Sequence, residues 1–479
     1  MKKLNELMDT DIDVEINGIK INSKNVEPGD LFICTDMGTL DRHDFIDDAI
    51  EKGAAAIIVK KDVGEKSVPI IKVDNPNDYL PLTCSNFYDN PEKKMKIIGV
   101  TGTDGKTTIA TMIQTLIGKK DCGYIGTNGY TCSKFEKDTD NTTPDSDKLY
   151  GIFDEFVNAD CKYVSMEVCS EALMRGRVKN LEFDVSVISN ITSEHLNIHG
   201  TLENYIESKN KLFSQTKKDG YCILNKDDAH FEESKKCCNG KILTYGKDKD
   251  NDLYFKDLKM IPGMNFFTAC YKGEEYKIKC DMAGTFNVYN LCAAMLAMFA
   301  LGYKFEDFAD RIEKIKVPGR LEMINLGQDF YAMVDYAHTP NGINNLLSYV
   351  KKLDVNRIIT VSGQAGERDA SKRKYVGKAL ADGSDYIVLT MEDPRSEDPK
   401  VIADMMMELV KDTYHTYEFV ADRGKAIQRA VDMAKPKDII LVLGKGNENY
   451  EKMNGWVMNF NDIEETKKAI KNRLKVEMK

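Results

Sequence analysis

No run of apolar residues in this sequence is long enough to cross a bilayer. The longest strongly apolar stretch, Leu291 to Leu301, is about half of the ~20 residues that a spanning helix needs. The opening residues MKKLNELMDTDIDVEI carry two lysines but no apolar core behind them, so no signal peptide is expected and the cytoplasm is the expected location. Positive charge is not in surplus: 67 Lys and Arg face 77 Asp and Glu, for a net charge of −10. That balance disfavours non-specific binding to nucleic acid or to an anionic membrane, though a local basic pocket for a phosphate is still open. The 12 cysteines include no C-x-x-C pair. Cys237 and Cys238 are adjacent, which suits neither a disulfide framework nor a zinc knuckle, and free thiols are expected. Internal repeats and low-complexity tracts are absent. Trp456 is the single tryptophan, and it carries no functional signal.

What is present is an ordinary globular composition, 42% hydrophobic and 30% charged over 479 residues. That length suggests about three domains. Residues 1–91 alternate short apolar runs (Leu31–Ile33, Ala56–Val59, Pro69–Val73) with a helix-like Asp44–Lys52, and NPEKK (Asn90–Lys94) reads as a polar linker. Residues 92–317 open on the β-branched run Lys96–Val100, followed by a Gly-rich turn and a helix over Thr107–Ile117. Further buried strands are expected at Tyr163–Met166 and Val185–Ile188, with helices over Leu202–Phe213 and Val288–Leu301. Tyr245–Cys280 has the short alternation of an antiparallel patch within this domain. Residues 318–479 alternate strands (Ile358–Ser362, Tyr386–Thr390, Ile439–Gly444) with helices (Arg373–Leu380, Val401–Val410, Ile463–Leu474). The fold class is α/β, with parallel sheets covered by helices and a Rossmann-like C-terminal domain.

The strongest local signal is GVTGTDGKTT (Gly99–Thr108), placed between a strand and a helix. Its backbone N–H groups at a helix N-terminus can cradle phosphate oxygens, with Lys106 on the terminal phosphates and Thr107 on Mg²⁺. The general pattern asks for glycine where this chain has Val100, so a plain Gly-containing turn is the competing reading. Glu167 falls at a strand's C-terminal end, where carboxylates face the crevice of an open α/β sheet. It is either a metal-binding acid or a solvated one. His195 and His199, four apart, suggest one helix face and a metal site, or structural histidines. By composition Lys209 is a helix-surface lysine, and Asn287 and Asn290 are an N-cap and a helix-surface amide.

TGTDGKTT resembles the phosphate loop of the Mur ligase family, whose usual form GTxGKT accounts for Val100. SMEVCSEAL (Ser165–Leu173), NITSEHLNIHGTLENYIESKNKLF (Asn190–Phe213), GTFNVYNLCAA (Gly284–Ala294), VPGRLE (Val317–Glu322), VDYAHTPNG (Val334–Gly342) and LGKGNENY (Leu443–Tyr450) resemble further family motifs in the same order. Within the family the chain looks most like the tripeptide synthetases. The resemblance implies three domains: a UDP-sugar-binding domain at 1–91, an ATP-binding domain at 92–317 and an amino-acid-binding domain at 318–479. It implies an ATP- and Mg²⁺-dependent ligase that joins a diamino acid to UDP-MurNAc-L-Ala-D-Glu in peptidoglycan precursor synthesis. A monomer is expected, although no motif fixes the oligomeric state. Other ligases of the family, of folylpolyglutamate or cyanophycin type, and a non-catalytic paralogue are the alternatives.

The same resemblance implies residue roles. Gly102, Thr103, Asp104, Gly105, Lys106, Thr107 and Thr108 would hold the phosphates. Asn287 and Asn290 would contact adenine, while Arg320, Asp335 and His338 would reach the nucleotide on domain closure. Thr107, Glu167, His195 and a carbamylated Lys209 would be metal ligands. Ser23 and His43 would contact the UDP portion, and Thr142, Thr143, Ser170 and Arg177 the muramoyl peptide. Arg368, Glu392, Asp393, Arg395, Gly444 and Glu448 would form the amino-acid pocket. Several positions depart from the usual motifs: Asn22, Glu171, Glu194, Glu392, Asp393 and Asn447. The motif DNPR of diaminopimelate-adding members reads Glu392-Asp393-Pro394-Arg395 here. Arg395 suits a distal carboxylate, whereas Asp393 could pair with a lysine ammonium. Meso-diaminopimelate is favoured over L-lysine, and a surface ion pair is the bland alternative for Arg395.

Overall fold

The computed structural model describes residues 1–36 and 40–477. They group into two compact units, residues 1–254 with 291–311 and residues 255–290 with 312–479.

The first unit holds two sheets. The N-terminal one is parallel, with β1 (Gly18–Lys20), β2 (Asp30–Ile33), β3 (Ala56–Val59) and β4 (Ile70–Lys72) in that order. Helix α1 (Ile46–Glu51) follows a 3₁₀ turn over Arg42–Phe45. Helix α2 (Pro76–Phe87) was hidden in the sequence by its prolines. Pro76 sits in the first turn, where a missing N–H costs nothing, behind the N-cap Asn75. Pro81 inside the helix does cost a hydrogen bond, which the burial of Leu80 and Cys84 offsets.

The larger sheet is built from β5 (Lys96–Thr101), β6 (Cys122–Gly126), β7 (Tyr163–Glu167), β8 (Phe183–Ile188), β9 (Thr216–Asn225) and β10 (Lys241–Gly246). These strands lie parallel in the order β6-β7-β5-β8-β9-β10. Their near-continuous apolar runs follow from burial on both faces. Helices α3 (Lys106–Ile117), α4 (Ser146–Asn158), α5 (Ser170–Met174) and α6 (Leu202–Ser214) connect the strands. Within Asn90–Lys94, expected as a polar linker, Pro91–Lys94 forms a 3₁₀ turn with Pro91 and Glu92 buried, and Ser85 donates to Glu92 at 2.7 Å. One apolar core runs from Leu4 through Ile33, Leu80 and Ile97 to Phe183 and Leu212.

β11 (Leu253–Ile261) leads into the second unit and neighbours β12 (Met264–Tyr271), which pairs antiparallel with β13 (Glu274–Cys280) inside the stretch expected as an antiparallel patch. The turn between β11 and β12 is tied to Tyr349, whose hydroxyl donates to the Ile261 carbonyl at 3.2 Å. Helix α7 (Thr285–Ala300) follows, and its residues from Leu291 on belong to the first unit. A second parallel sheet then runs β14 (Tyr331–Asp335), β18 (Ile439–Leu443), β15 (Ile358–Ser362), β16 (Tyr386–Leu389), β17 (Tyr417–Phe419). It is covered by α8 (Pro340–Val350), α9 (Arg373–Gly383), α10 (Pro399–Met407), α11 (Arg423–Met433) and α12 (Asp462–Glu477), and β19 (Tyr450–Met453) pairs with β20 (Trp456–Asn459) as a hairpin. Among the described residues no helix is long and apolar enough to cross a membrane.

Candidate active site

The carboxyl ends of β7, β5 and β8 lie side by side, so the segments that follow them meet at one edge. That edge is where open α/β sheets bind ligands. The loop after β5 turns through Gly102 and Gly105, at φ +140° and +84°. A side chain on Gly102 would also collide with Ser189 Oγ. The loop is clamped to the end of β8. Thr103 N donates to the Asn190 carbonyl at 2.8 Å, and Asp104 N to Asn190 Oδ1 at 3.2 Å. Asn190 Nδ2 returns a bond to the Asp104 carbonyl at 3.2 Å. Helix α3 starts at Lys106 with its N–H groups facing the turn. Lys106 Nζ donates to the carbonyls of Gly102 and Thr103, both at 2.9 Å.

Glu167, at the end of β7, is fully buried. Its carboxylate accepts from Tyr124 Oη at 2.7 Å, Thr127 N at 2.8 Å and Thr107 Oγ1 at 3.0 Å. Tyr124 and Thr127 carried no signal in the sequence; only the β6–β7 pairing brings them here. A hard divalent cation takes oxygen ligands and keeps phosphate and water oxygens in its shell. The Thr107 hydroxyl and Glu167 carboxylate beside a phosphate loop fit such an ion. Among the described residues no three His, Cys, Asp or Glu side chains gather into a closed cage, so the nucleotide would supply the remaining oxygens.

Lys209 is not the surface lysine that its composition suggests. It is 1% exposed, donates to the Gly102 carbonyl at 2.7 Å, and lies 4.4 Å from the centre of the Tyr205 ring. Burial, with the nearby Lys106 charge, pushes its ammonium well below the usual lysine range, although Glu194, Cys169 and Asp104 pull the other way. Tyr205 in turn shares a hydrogen bond with Thr103 Oγ1 at 3.1 Å. His195 caps a short helical turn in the left-handed region, φ +55°. Its side chain is half exposed, with Nε2 3.7 Å from Glu194 and its ring 6.4 Å from Tyr205. His199 is buried and structural, bonded through Nε2 to Ser170 Oγ at 3.1 Å.

The four candidate contacts to the muramoyl peptide converge on the end of β7. Thr143 Oγ1 donates to the Glu167 carbonyl at 2.9 Å and accepts from Cys169 N at 3.0 Å. Arg177 donates to the Thr143 carbonyl at 3.1 Å and pairs with Asp145 at 2.7 Å. Thr142 touches Thr127 at 3.2 Å, and Ser170 begins α5. Glu171 pairs with Arg175 at 2.9 Å and lies 3.7 Å from Arg177. A small open cleft lies beside them, lined by Ile21, Asn77, Leu80, Asp145 and Arg177.

In the N-terminal sheet Ser23 is buried, and Asn22 caps its 3₁₀ turn by accepting from Lys24 N at 3.1 Å. His43, expected to contact the UDP portion, has its ring tied to the chain. Nε2 accepts from Lys60 N at 3.0 Å, which places the proton on Nδ1, and Nδ1 donates to Asp41 at 2.6 Å. Both nitrogens are committed to the chain itself.

The second unit holds its candidates at two places. Asn287 and Asn290 are buried, not helix-surface amides: Asn287 donates to the Ala283 carbonyl at 2.8 Å, and Asn290 to Asn287 Oδ1 at 3.0 Å. Asp335 ends β14 and accepts from Leu321 N at 2.7 Å and Ala337 N at 2.8 Å. Arg320 stacks 4.3 Å from the Tyr336 ring centre, and the His338 ring lies 4.9 Å from it. Asp335 therefore positions Arg320 and His338 by folding the loops that carry them.

Glu392, Asp393 and Arg395 follow β16, and Gly444 and Glu448 follow β18. Gly444, at φ +117°, presses against the Glu392 carboxyl, and a side chain there would collide with it. Burial pushes Glu392 up to about 8. Asp393 accepts from Lys445 Nζ at 2.7 Å and Lys452 N at 3.0 Å. Arg395, 18% exposed, donates to the Gly366 carbonyl and is no surface ion-pair residue. Arg368 is exposed on the loop after β15. Lys445 was missed, although it stood inside LGKGNENY.

A glycine turn on a helix N-terminus, with a lysine, a hydroxyl and a buried acid around it, has the arrangement of a phosphate loop. The Mur ligase middle-domain model matches residues 100–298, the glutamate ligase domain model 319–446, and the family's catalytic domain model 15–88. UDP-N-acetylmuramoyl-L-alanyl-D-glutamate–2,6-diaminopimelate ligase of Geobacillus thermodenitrificans is 35% identical over 468 residues, 96% of each chain. Its namesake from Fusobacterium nucleatum is 36% identical over 98% of this chain and 97% of its own. A solved structure with the same enzyme name aligns with TM-score 0.70 at 29% identity, covering 99% of both chains. The MurF ligase of Thermotoga maritima, solved with ADP, shares the fold at TM-score 0.66 and 19% identity over 96% of this chain and 98% of its own. The chain belongs to the Mur ligase family.

Proposed function

We propose that the protein is an ATP-dependent amide-bond-forming ligase that adds meso-diaminopimelate to UDP-MurNAc-L-Ala-D-Glu, as a cytoplasmic monomer, in peptidoglycan precursor synthesis. The observation that carries the reading is the arrangement around Gly102: Lys106 in the phosphate loop, the Thr107–Glu167 pair, and the buried Lys209. The γ-phosphate of ATP lies against the loop N–H groups and Lys106. A substrate carboxylate oxygen attacks it, ADP leaves, and an acyl phosphate results. The amine of the diamino acid then attacks the acyl carbon, loses a proton, and phosphate departs. Positioning and charge neutralisation do most of this work. Magnesium held by Thr107, Glu167 and nucleotide oxygens would neutralise phosphate charge, with His195 in its surroundings.

Lys209 carries a carbamate in this reading. Only an unprotonated amine can add to CO₂, and burial beside Lys106 favours that form. The product is an anion, so repulsion from Lys106 becomes attraction.

The amino-acid choice rests on Asp393. Its carboxylate is already paired with Lys445 at 2.7 Å, which removes the feature that spoke for a lysine substrate. Arg395 is left to recognise a distal carboxylate, in keeping with the names of the relatives. Phosphate release is expected only when ATP, UDP-MurNAc-L-Ala-D-Glu and diaminopimelate are all present; release with either substrate omitted would reject the reading. Arg395→Ala should raise KM for diaminopimelate, because a desolvated carboxylate loses its charged partner. An unchanged KM would remove Arg395 from the pocket.

A further inference from the structure

The loops after β16 and β18 bury an ammonium between two carboxylates. Lys445 Nζ donates to Asp393 Oδ1 at 2.7 Å and to Glu448 Oε2 at 2.9 Å. Its side chain is 1% exposed, and the Tyr450 ring centre lies 5.2 Å from Nζ. Two carboxylates and an aromatic face make a receptor for an organic ammonium. Here the chain fills that receptor itself. We infer that Lys445 is a specificity-determining residue: its tethered ammonium denies Asp393 and Glu448 to the side-chain ammonium of L-lysine, leaving Arg395 to select an amino acid with a distal carboxylate.

The inference rests on the ligase reading above and deepens it. The charges around Lys445 support it. Arg423 is consumed by a two-pronged pair with Asp462, both bonds at 2.7 Å, and Arg395 stands 4.0 Å from Asp393. Glu392 and Glu451 also face this region. Burial pushes them up to about 8 and about 7, against the pull of Arg423 and Lys445, so neither carries a full charge near neutrality. Burial acts to lower the Lys445 ammonium, but Glu448 and Asp393 outweigh it and the net shift is upward. Lys445 therefore stays charged and offsets anions that would otherwise attract a cationic substrate. Its removal makes the pocket one charge more negative.

The test is competition between diaminopimelate and L-lysine, read as the ratio of their kcat/KM values, in wild type and in Lys445→Met of the full chain. The ratio should fall by about tenfold or more, through a gain for lysine relative to diaminopimelate. Asp393→Asn combined with Lys445→Met, which removes one charge of each sign, should recover most of the wild-type ratio. Should Lys445→Met fail to fold, Lys445→Gln carries the same test with a neutral donor in place. Equal losses for both amino acids, with the ratio unchanged, would make Lys445 a purely structural residue and overturn the inference. A wild type that ligates neither amino acid would instead reject the ligase reading.

Discussion

Lys209→Ala is expected to lose turnover by about 10²–10³-fold, the range for removing one preorganised charge contact. The side chain is fully buried against the phosphate loop and spends its only described hydrogen bond on the Gly102 carbonyl. An ordinary structural lysine would sit on the surface or against a carboxylate, because burying an unpaired ammonium is costly. Lys209→Arg should be as inactive as Lys209→Ala, since a guanidinium keeps its proton and cannot take up CO₂. A short carboxylic acid added to Lys209→Ala should restore part of the activity by supplying the missing anion. Carbon-13 NMR of the wild type equilibrated with labelled bicarbonate should show a carbamate resonance that Lys209→Arg lacks. A fully active wild type without that resonance would sink the carbamate assignment.

Lys106→Ala should cost at least about a hundredfold in rate at saturating substrates. Its ammonium lies on the loop carbonyls of Gly102 and Thr103, at the helix start where phosphate charge collects. Stability should change little, because the side chain is only half buried and the loop is held independently by Asn190. Phosphate release and a thermal melt on the same preparation separate the two effects. A folded variant that keeps most of its ligation would exclude Lys106 from the transition state.

The fold was largely legible because its strands are buried on both faces. Uniform apolar runs such as Ala56–Val59 and Ile358–Ser362 are strands with the same limits in the structure. Gly105 and Lys106 mark the strand–helix turn by chemistry that few other turns need. The failures have physical causes. In α2 the prolines broke the local helix pattern, and tertiary burial overrode them. NPEKK looked like a linker because polarity was read without the burial of Pro91. The Glu167 site was half visible: its own strand could be read, but Tyr124 and Thr127 come from a neighbouring strand that no local pattern marks. Lys209 was invisible to composition, since its helix is mostly polar and its burial depends on Gly102, more than a hundred residues away in sequence. Asp393 was legible as a departure, but its consequence was not, because the lysine that neutralises it lies 52 positions on.

The apolar core that runs from Leu4 to Leu212 has a consequence for modular exchange. A graft that replaces the first 91 residues with those of a relative would not slot in like an independent bead on a string. Leu4, Leu7 and Ile33 share one apolar core with Ile97 and Phe183, so a mismatch on one side is expected to loosen the other. A chimera would have to match the apolar faces of α2 and α4 together.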